Sequence, residues 1–150
     1  MKKANGQIKS KKRVRDFAEV YTNKREVKAM CDLIPESEWT IEKTFLEPAC
    51  GNGNFLVEIL ARKFKRCKDE KEGLKALASI VGIDIQADNV EESRKRLYEM
   101  YLVKFPNGNS FCKFMAQQIL RNNIICGDSL KIMAKWEAEQ NPQPTQLSFL

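Results

Sequence analysis

The sequence contains no histidine at all. That removes the commonest general base and the commonest metal ligand, so any chemistry must run without both. Its five cysteines, Cys31, Cys50, Cys67, Cys112 and Cys126, are odd in number and widely separated. They form neither a disulfide framework nor a zinc spacing, and read as free thiols of a reducing cytoplasm. No apolar run approaches the ~20 residues that cross a bilayer, so no membrane partner is expected. The basic N-terminus has no apolar segment behind it, so no signal peptide is expected. Residues 1–15 contain no acid.

What remains describes one ordinary domain. The chain has 150 residues, 43% hydrophobic and 31% charged, with a net charge of +6. Seven of its 26 basic residues fall within residues 1–15, which leaves 19 to balance 20 acids elsewhere. The body is near neutral and carries a cationic arm. Residues 1–15 are expected to be disordered. Lys9, Lys11, Lys12, Arg13 and Arg15 suit contact with nucleic-acid phosphates, a sequence-independent and salt-sensitive interaction.

Past the arm, Val27, Met30, Cys31 and Ile34 recur at helical spacing, with Asn23 and Glu26 placed as a capping box and Pro35 as the stop. Thr44–Glu47 reads as a short buried strand. Phe55, Leu56, Ile59, Leu60 and Phe64 form the stripe of a helix. Gly73 punctuates a charged stretch before one or two helical turns over Leu74–Ser79. Ile80–Ile85 is a second strand. A helix follows with Val90, Leu97 and Tyr101 inward, then a loop at residues 106–110. Another helix face carries Phe111, Phe114, Met115 and Ile119. "NIICGD" is a third strand, and a last helix carries Leu130, Met133 and Trp136. Strands separated by helices argue for an α/β fold with a parallel sheet covered on both faces. The expected division is the arm (1–15), a ligand-binding domain (16–139) and an extended tail (140–150).

The chemistry concentrates in "TFLEPACGNGNFLVEIL", residues 44–60. A strand feeding a helix through Gly51 and Gly53 lets backbone approach a ligand closely. Leu56 stands where a dinucleotide fingerprint wants its third glycine, and the Gly-Lys-Ser/Thr of a phosphate loop is absent. Glu47 ahead of the loop repels pyrophosphate but accepts hydrogen bonds from an ammonium group. Asp84 and Asp128 close the second and third strands, where ligands of open α/β sheets bind. A ligand with a cationic amino-acid end, a ribose and an adenine meets these requirements, and S-adenosylmethionine is such a ligand. Asp84 would accept from the two ribose hydroxyls and Asp128 from the adenine amino group.

"FLEPACGNGNFLVEIL", "GIDIQADNVEESRKRL" and "NIICGDSL" resemble the first three cofactor motifs of class I methyltransferases. They are most similar to adenine-specific (N6) DNA methyltransferases of bacterial restriction–modification systems. "DFAEVYTNKREVKAM" resembles the Gly-Glu-Val-Phe/Tyr-Thr-Pro motif of those enzymes, with Ala18 for the glycine and Asn23 for the proline. The resemblance covers about residues 15–132. It implies a Rossmann-like fold and a bacterial or mobile-element setting. It also implies a cofactor site of Tyr21, Thr22, Glu47, Pro48, Ala49, Cys50, Gly51, Gly53, Phe55, Asp84, Ile85 and Asp128, with Ile85 against the adenine.

The family's catalytic Asn/Asp-Pro-Pro-Tyr/Phe string is missing. Asn141–Pro144, "NPQP", departs from it at the second proline and the aromatic, so no catalytic residue is assigned. Nor does any cysteine directly follow a proline, as cytosine-C5 methylation requires in its own family. With about three strands, the first becomes an edge that invites another chain. The expected partners are DNA and either a second methyltransferase half or a second copy across that edge. Gln146–Leu150, "QLSFL", is similar to peptides that dock on the bacterial sliding clamp. The alternatives are a non-catalytic DNA-associated or regulatory protein that keeps the fold, and an RNA or protein methyltransferase.

Overall fold

The computed structural model describes residues 7–17 and 19–140. Asn141–Pro144, Gln146–Leu150 and the Arg15 side chain lie outside the described residues. Helices α1 (Lys11–Phe17) and α2 (Lys24–Asp32) and a short 3-10 turn at Glu36–Glu38 precede strand β1 (Phe45–Glu47). Then come α3 (Asn54–Phe64), α4 (Glu70–Ala78), β2 (Ile80–Asp84), α5 (Ala87–Lys104), α6 (Ser110–Asn123), β3 (Ile124–Cys126) and α7 (Ser129–Gln140).

The three strands form one parallel sheet in the order β1-β2-β3, with Glu47 level with Gly82 and Asp84 level with Cys126. Parallel strands require crossover connections, and the helices between them supply these. This is the expected α/β arrangement, a parallel sheet flanked by helices and compatible with a Rossmann-like methyltransferase fold. Among the described residues β1 pairs only with β2, so one side of it is an open edge, and Leu46 is exposed there.

The helix boundaries have local causes. Asn23 Oδ1 accepts the Glu26 N–H at 3.0 Å, which is half of the expected capping box. Asp69 and Asn109 cap α4 and α6 in the same way, accepting from Glu72 N and Cys112 N. The stripe of α3 buries Leu56, Ile59, Leu60 and Phe64. Lys63 lies on that same stripe and is fully buried. Its ammonium donates to the carbonyls of Thr40 (2.8 Å), Ile41 (3.0 Å) and Lys43 (2.6 Å), and so holds the segment that enters β1. Burial pushes its pKa down to about 8, which still leaves it mostly charged at neutral pH. Trp39 stacks on Phe45 with ring centroids 5.0 Å apart and seals the same corner.

Four expectations are corrected. Residues 11–15, expected to be disordered, are helical as part of α1, and Lys9 and Arg13 are tied to Asp88, 79 and 75 residues away, contacts that local composition does not show. Gly73 does not punctuate: it is buried inside α4, because a β-carbon there would run into the Phe105 ring. The inward face of α6 is Ala116 and Leu120 with the expected Ile119 beside them, whereas Phe111 and Phe114 are 70% and 55% exposed. Met30 on α2 and Leu130 and Met133 on α7 also face outward, and α7 buries none of its residues.

The Gly73 contact gives a first test. Gly73→Ala should gain ~1 kcal/mol of helix propensity, but overpacking against Phe105 costs about 1–3 kcal/mol and should win. The urea midpoint should fall, and Phe105→Leu in the same background should restore part of it. A midpoint at or above wild type would disprove the contact.

Candidate functional site

The site begins where β1 ends. After Glu47 and Pro48 the chain turns through left-handed backbone at Gly51 (φ 54°) and Gly53 (φ 95°) and enters α3. Side chains other than glycine rarely adopt such angles. A β-carbon at Gly51 would also stand 3.1 Å from the Tyr21 ring, and one at Gly53 would stand 2.9 Å from Ser93 Oγ. The loop is anchored on several sides. Cys50 N–H donates to Ile83 O at 2.9 Å and Gly51 N–H to Asp84 Oδ2 at 3.0 Å. Ser93 Oγ donates to Gly51 O at 3.1 Å, and the Arg96 guanidinium to Asn52 O at 2.8 Å. Asn54 Nδ2 donates to Thr22 O at 2.8 Å, which joins the loop to the segment before α2.

Two adjacent cavities open over this loop. The larger, about 360 Å³, is walled by Tyr21, Pro48, Ala49, Gly51, Asp84, Ile85 and Asp128, together with Glu19, Gln86 and Leu130. The smaller, about 180 Å³, adds Thr22, Glu47, Cys50 and Phe55. They share Val20, Tyr21, Ala49 and Gly51, so together they make one crevice across the strand ends. Of the twelve residues expected at the ligand site, eleven line it. Gly53 does not: it is buried against Ser93 on α5, where it shapes the loop from behind.

Charge in the crevice has one sign. Glu19, Glu47, Asp84 and Asp128 all line it, and among the described residues no lysine or arginine does. A phosphate would find no cation there, whereas an ammonium group or a set of hydroxyls finds acceptors. Burial pushes the Glu47 carboxyl above the usual range, opposed by the hydrogen bond it accepts from Ala49 N–H at 3.2 Å. Asp84 spends both oxygens on the local fold, Oδ2 on Gly51 N–H and Oδ1 on Gln86 N–H (2.9 Å) and Asn89 Nδ2 (3.1 Å). Asp128 Oδ1 accepts from Leu130 N–H at 3.0 Å and caps α7.

Sequence reasoning overlooks the second layer. Asn89 is fully buried in the first turn of α5. Its Oδ1 accepts from Lys9 Nζ and Tyr21 Oη, both at 2.8 Å, and its Nδ2 donates to Glu19 and Asp84. Arg13 pairs with Glu19 at 2.7 Å and with Asp88 at 2.6 Å. The Arg13 guanidinium, helped by Lys9, holds the Asp88 carboxyl well below its ordinary range. The available signal was the Asn in "DIQADN", five residues past the strand-end acid. Among the described residues no group of three His, Cys, Asp or Glu side chains is placed to hold a metal.

Over 80 residues, 53% of its length, the chain is 38% identical to the type II methyltransferase M.VspI of Vibrio sp. (strain 343). It is related to a methyltransferase. The aligned part covers 16% of that protein. No protein-family model matches the chain. No solved structure matches it.

Proposed function

We propose that this chain is the S-adenosylmethionine-binding part of a DNA adenine-N6 methyltransferase, with a class I, Rossmann-like fold. The carrying observation is the crevice itself: a glycine loop and three strand-end acids meet over one parallel sheet, with no basic residue on its walls among the described residues. In this reading Glu47 and the backbone of Ala49–Gly53 take the cationic amino-acid end. Asp84 takes the ribose, Asp128 the adenine amino group, and Ile85, which is exposed on the cavity wall, the adenine face. The donor set fits, since each acceptor meets a donor and none meets a phosphate. Bound there, the cofactor supplies a methyl group on a sulfonium.

Support for a DNA methyltransferase in particular comes from the motif resemblance and from the relation to a type II methyltransferase. The groups that hold the acceptor base would come from a partner polypeptide, paired across the open edge of β1. Exposed Leu46, and the uncovered Leu130 and Met133 of α7, are apolar surface for it. Within the arm, Lys11 and Lys12 are exposed and suit DNA phosphates, whereas Lys9 and Arg13 are engaged with Glu19, Asp88 and Glu92. A second reading is a non-catalytic DNA-associated protein with the same crevice.

Isothermal titration at neutral pH should detect S-adenosylmethionine binding. Binding should strengthen as pH rises out of the carboxylate range. Burial favours protonated Glu47 in the free protein, and a ligand ammonium favours the ionised form. No binding at millimolar ligand would sink the proposal. Labelled-methyl transfer to DNA separates the two readings: an enzyme part transfers methyl once its partner is added, and a non-catalytic protein never does.

A further inference from the structure

Glu19, a residue of the larger cavity's wall, carries a buried acceptor that no described residue fills. Glu19, between α1 and α2, lines that cavity, and its side chain is only 10% exposed. Its Oε2 is fully used, accepting from Arg13 and from Asn89 Nδ2, each at 2.7 Å. Its Oε1 is buried and accepts a hydrogen bond from none of the described residues. A buried carboxylate oxygen left without a donor is costly, and only a donor removes that cost. Burial pushes the Glu19 carboxyl up, but Arg13 and Asn89 outweigh it and hold the group below the ordinary range, so at neutral pH it is ionised and accepts only.

Asn89 cannot relieve it, although the Tyr21 hydroxyl and the buried, unpartnered Arg13 Nε belong to the same network. Asn89 makes four hydrogen bonds, its full complement of two donated and two accepted. Its Nδ2 joins Glu19 Oε2 to Asp84 Oδ1, so the two carboxylates flank a single amide nitrogen. A carboxylate offers roughly four acceptor sites. Asp84 has filled three with Gly51, Gln86 and Asn89, which leaves about one for a ligand. A diol with two hydroxyls to place would exceed Asp84 alone, and the empty acceptor beside it is Glu19 Oε1.

We propose that Glu19 is a ligand-binding, specificity-determining residue: its Oε1 accepts from one hydroxyl of the ligand's ribose diol while Asp84 accepts from the other. The inference rests on the reading of the crevice given under the proposed function and adds to it a residue outside the twelve expected ones. Its consequence is selectivity for an intact diol.

The test uses the full chain, S-adenosylmethionine and its 2′-deoxy and 3′-deoxy analogues in isothermal titration. Glu19→Gln keeps one acceptor oxygen for Arg13 and Asn89 and turns the free position into an N–H donor. We expect it to weaken S-adenosylmethionine binding tenfold or more at an unchanged urea midpoint. Each deoxy analogue should bind wild type several-fold more weakly than the parent. One of the two should lose nothing further in Glu19→Gln, because its missing hydroxyl is the one Glu19 would have held. Wild-type binding that Glu19→Gln leaves unchanged overturns this inference and spares the cofactor reading, whereas no binding by wild type overturns both. Should the variant fail to fold, the analogues decide in wild type: if only one hydroxyl matters, Asp84 acts alone and the inference is wrong.

Discussion

Asp84→Ala should weaken S-adenosylmethionine binding about 100-fold, close to 3 kcal/mol at 1.4 kcal/mol per decade. Two losses combine. The ligand loses a charge-assisted acceptor, worth about 1.5–3 kcal/mol. The glycine loop also loses its tether, because Asp84 Oδ2 is what holds Gly51 N–H. Asp84→Asn should do little better despite its shape. All three local partners of Asp84 are donors, on both of its oxygens, so an amide NH₂ must face at least one N–H. Titration with a urea control on the same samples checks this. Binding within threefold of wild type for the asparagine variant would show that the carboxylate is not the tether described.

Lys63→Met should cost about 3 kcal/mol of folding stability. Methionine replaces most of the volume of the lysine stem, so the cavity contribution is small. What disappears is the donor for the carbonyls of Thr40, Ile41 and Lys43, each worth about 1 kcal/mol or more when left buried and unpaired. Those carbonyls precede β1, so the damage should spread to the open strand and to the Trp39–Phe45 stack. The urea midpoint should drop with an unchanged slope, and tryptophan fluorescence should report the loosened corner. A change under 1 kcal/mol would mean that water replaces the ammonium there.

These two residues mark what could be read from the sequence. Asp84 was visible because it combines two local signals, an apolar strand and the acid that ends it. Glu47 and Asp128 were visible on the same grounds. Lys63 was legible only in hindsight, as a lysine three residues after Leu60 on an otherwise apolar stripe. The strand and helix order was recoverable from periodicity and the cap at Asn23 from its spacing, whereas the open edge of β1 was implied by the family resemblance. Partners distant in sequence were not. A run of lysines and arginines looks solvated until Asp88 and Glu19 are placed beside it. Gly73 looks like a helix break until the Phe105 ring is seen to need its missing side chain. On α6 the aromatics outweigh smaller residues in any hydrophobicity pattern, yet Ala116 and Leu120 face the core. Asn89 and Glu19 carried no periodic pattern, since a hydrogen-bond network has no period; the Asn in "DIQADN" was the one local signal.

The ties from Lys9 and Arg13 to α5 also set an order of assembly. The Lys9–Asp88 bond closes a loop of 79 residues, and Tyr21–Asn89 one of 68. During synthesis, about 90 residues must leave the ribosome before the first twenty have anything to grip, and long loops close late. The wall that holds Glu19 and Tyr21 is therefore completed only once α5 is in place. A chain interrupted before α5 would lose this roof and also the Ser93 and Arg96 anchors of its glycine loop.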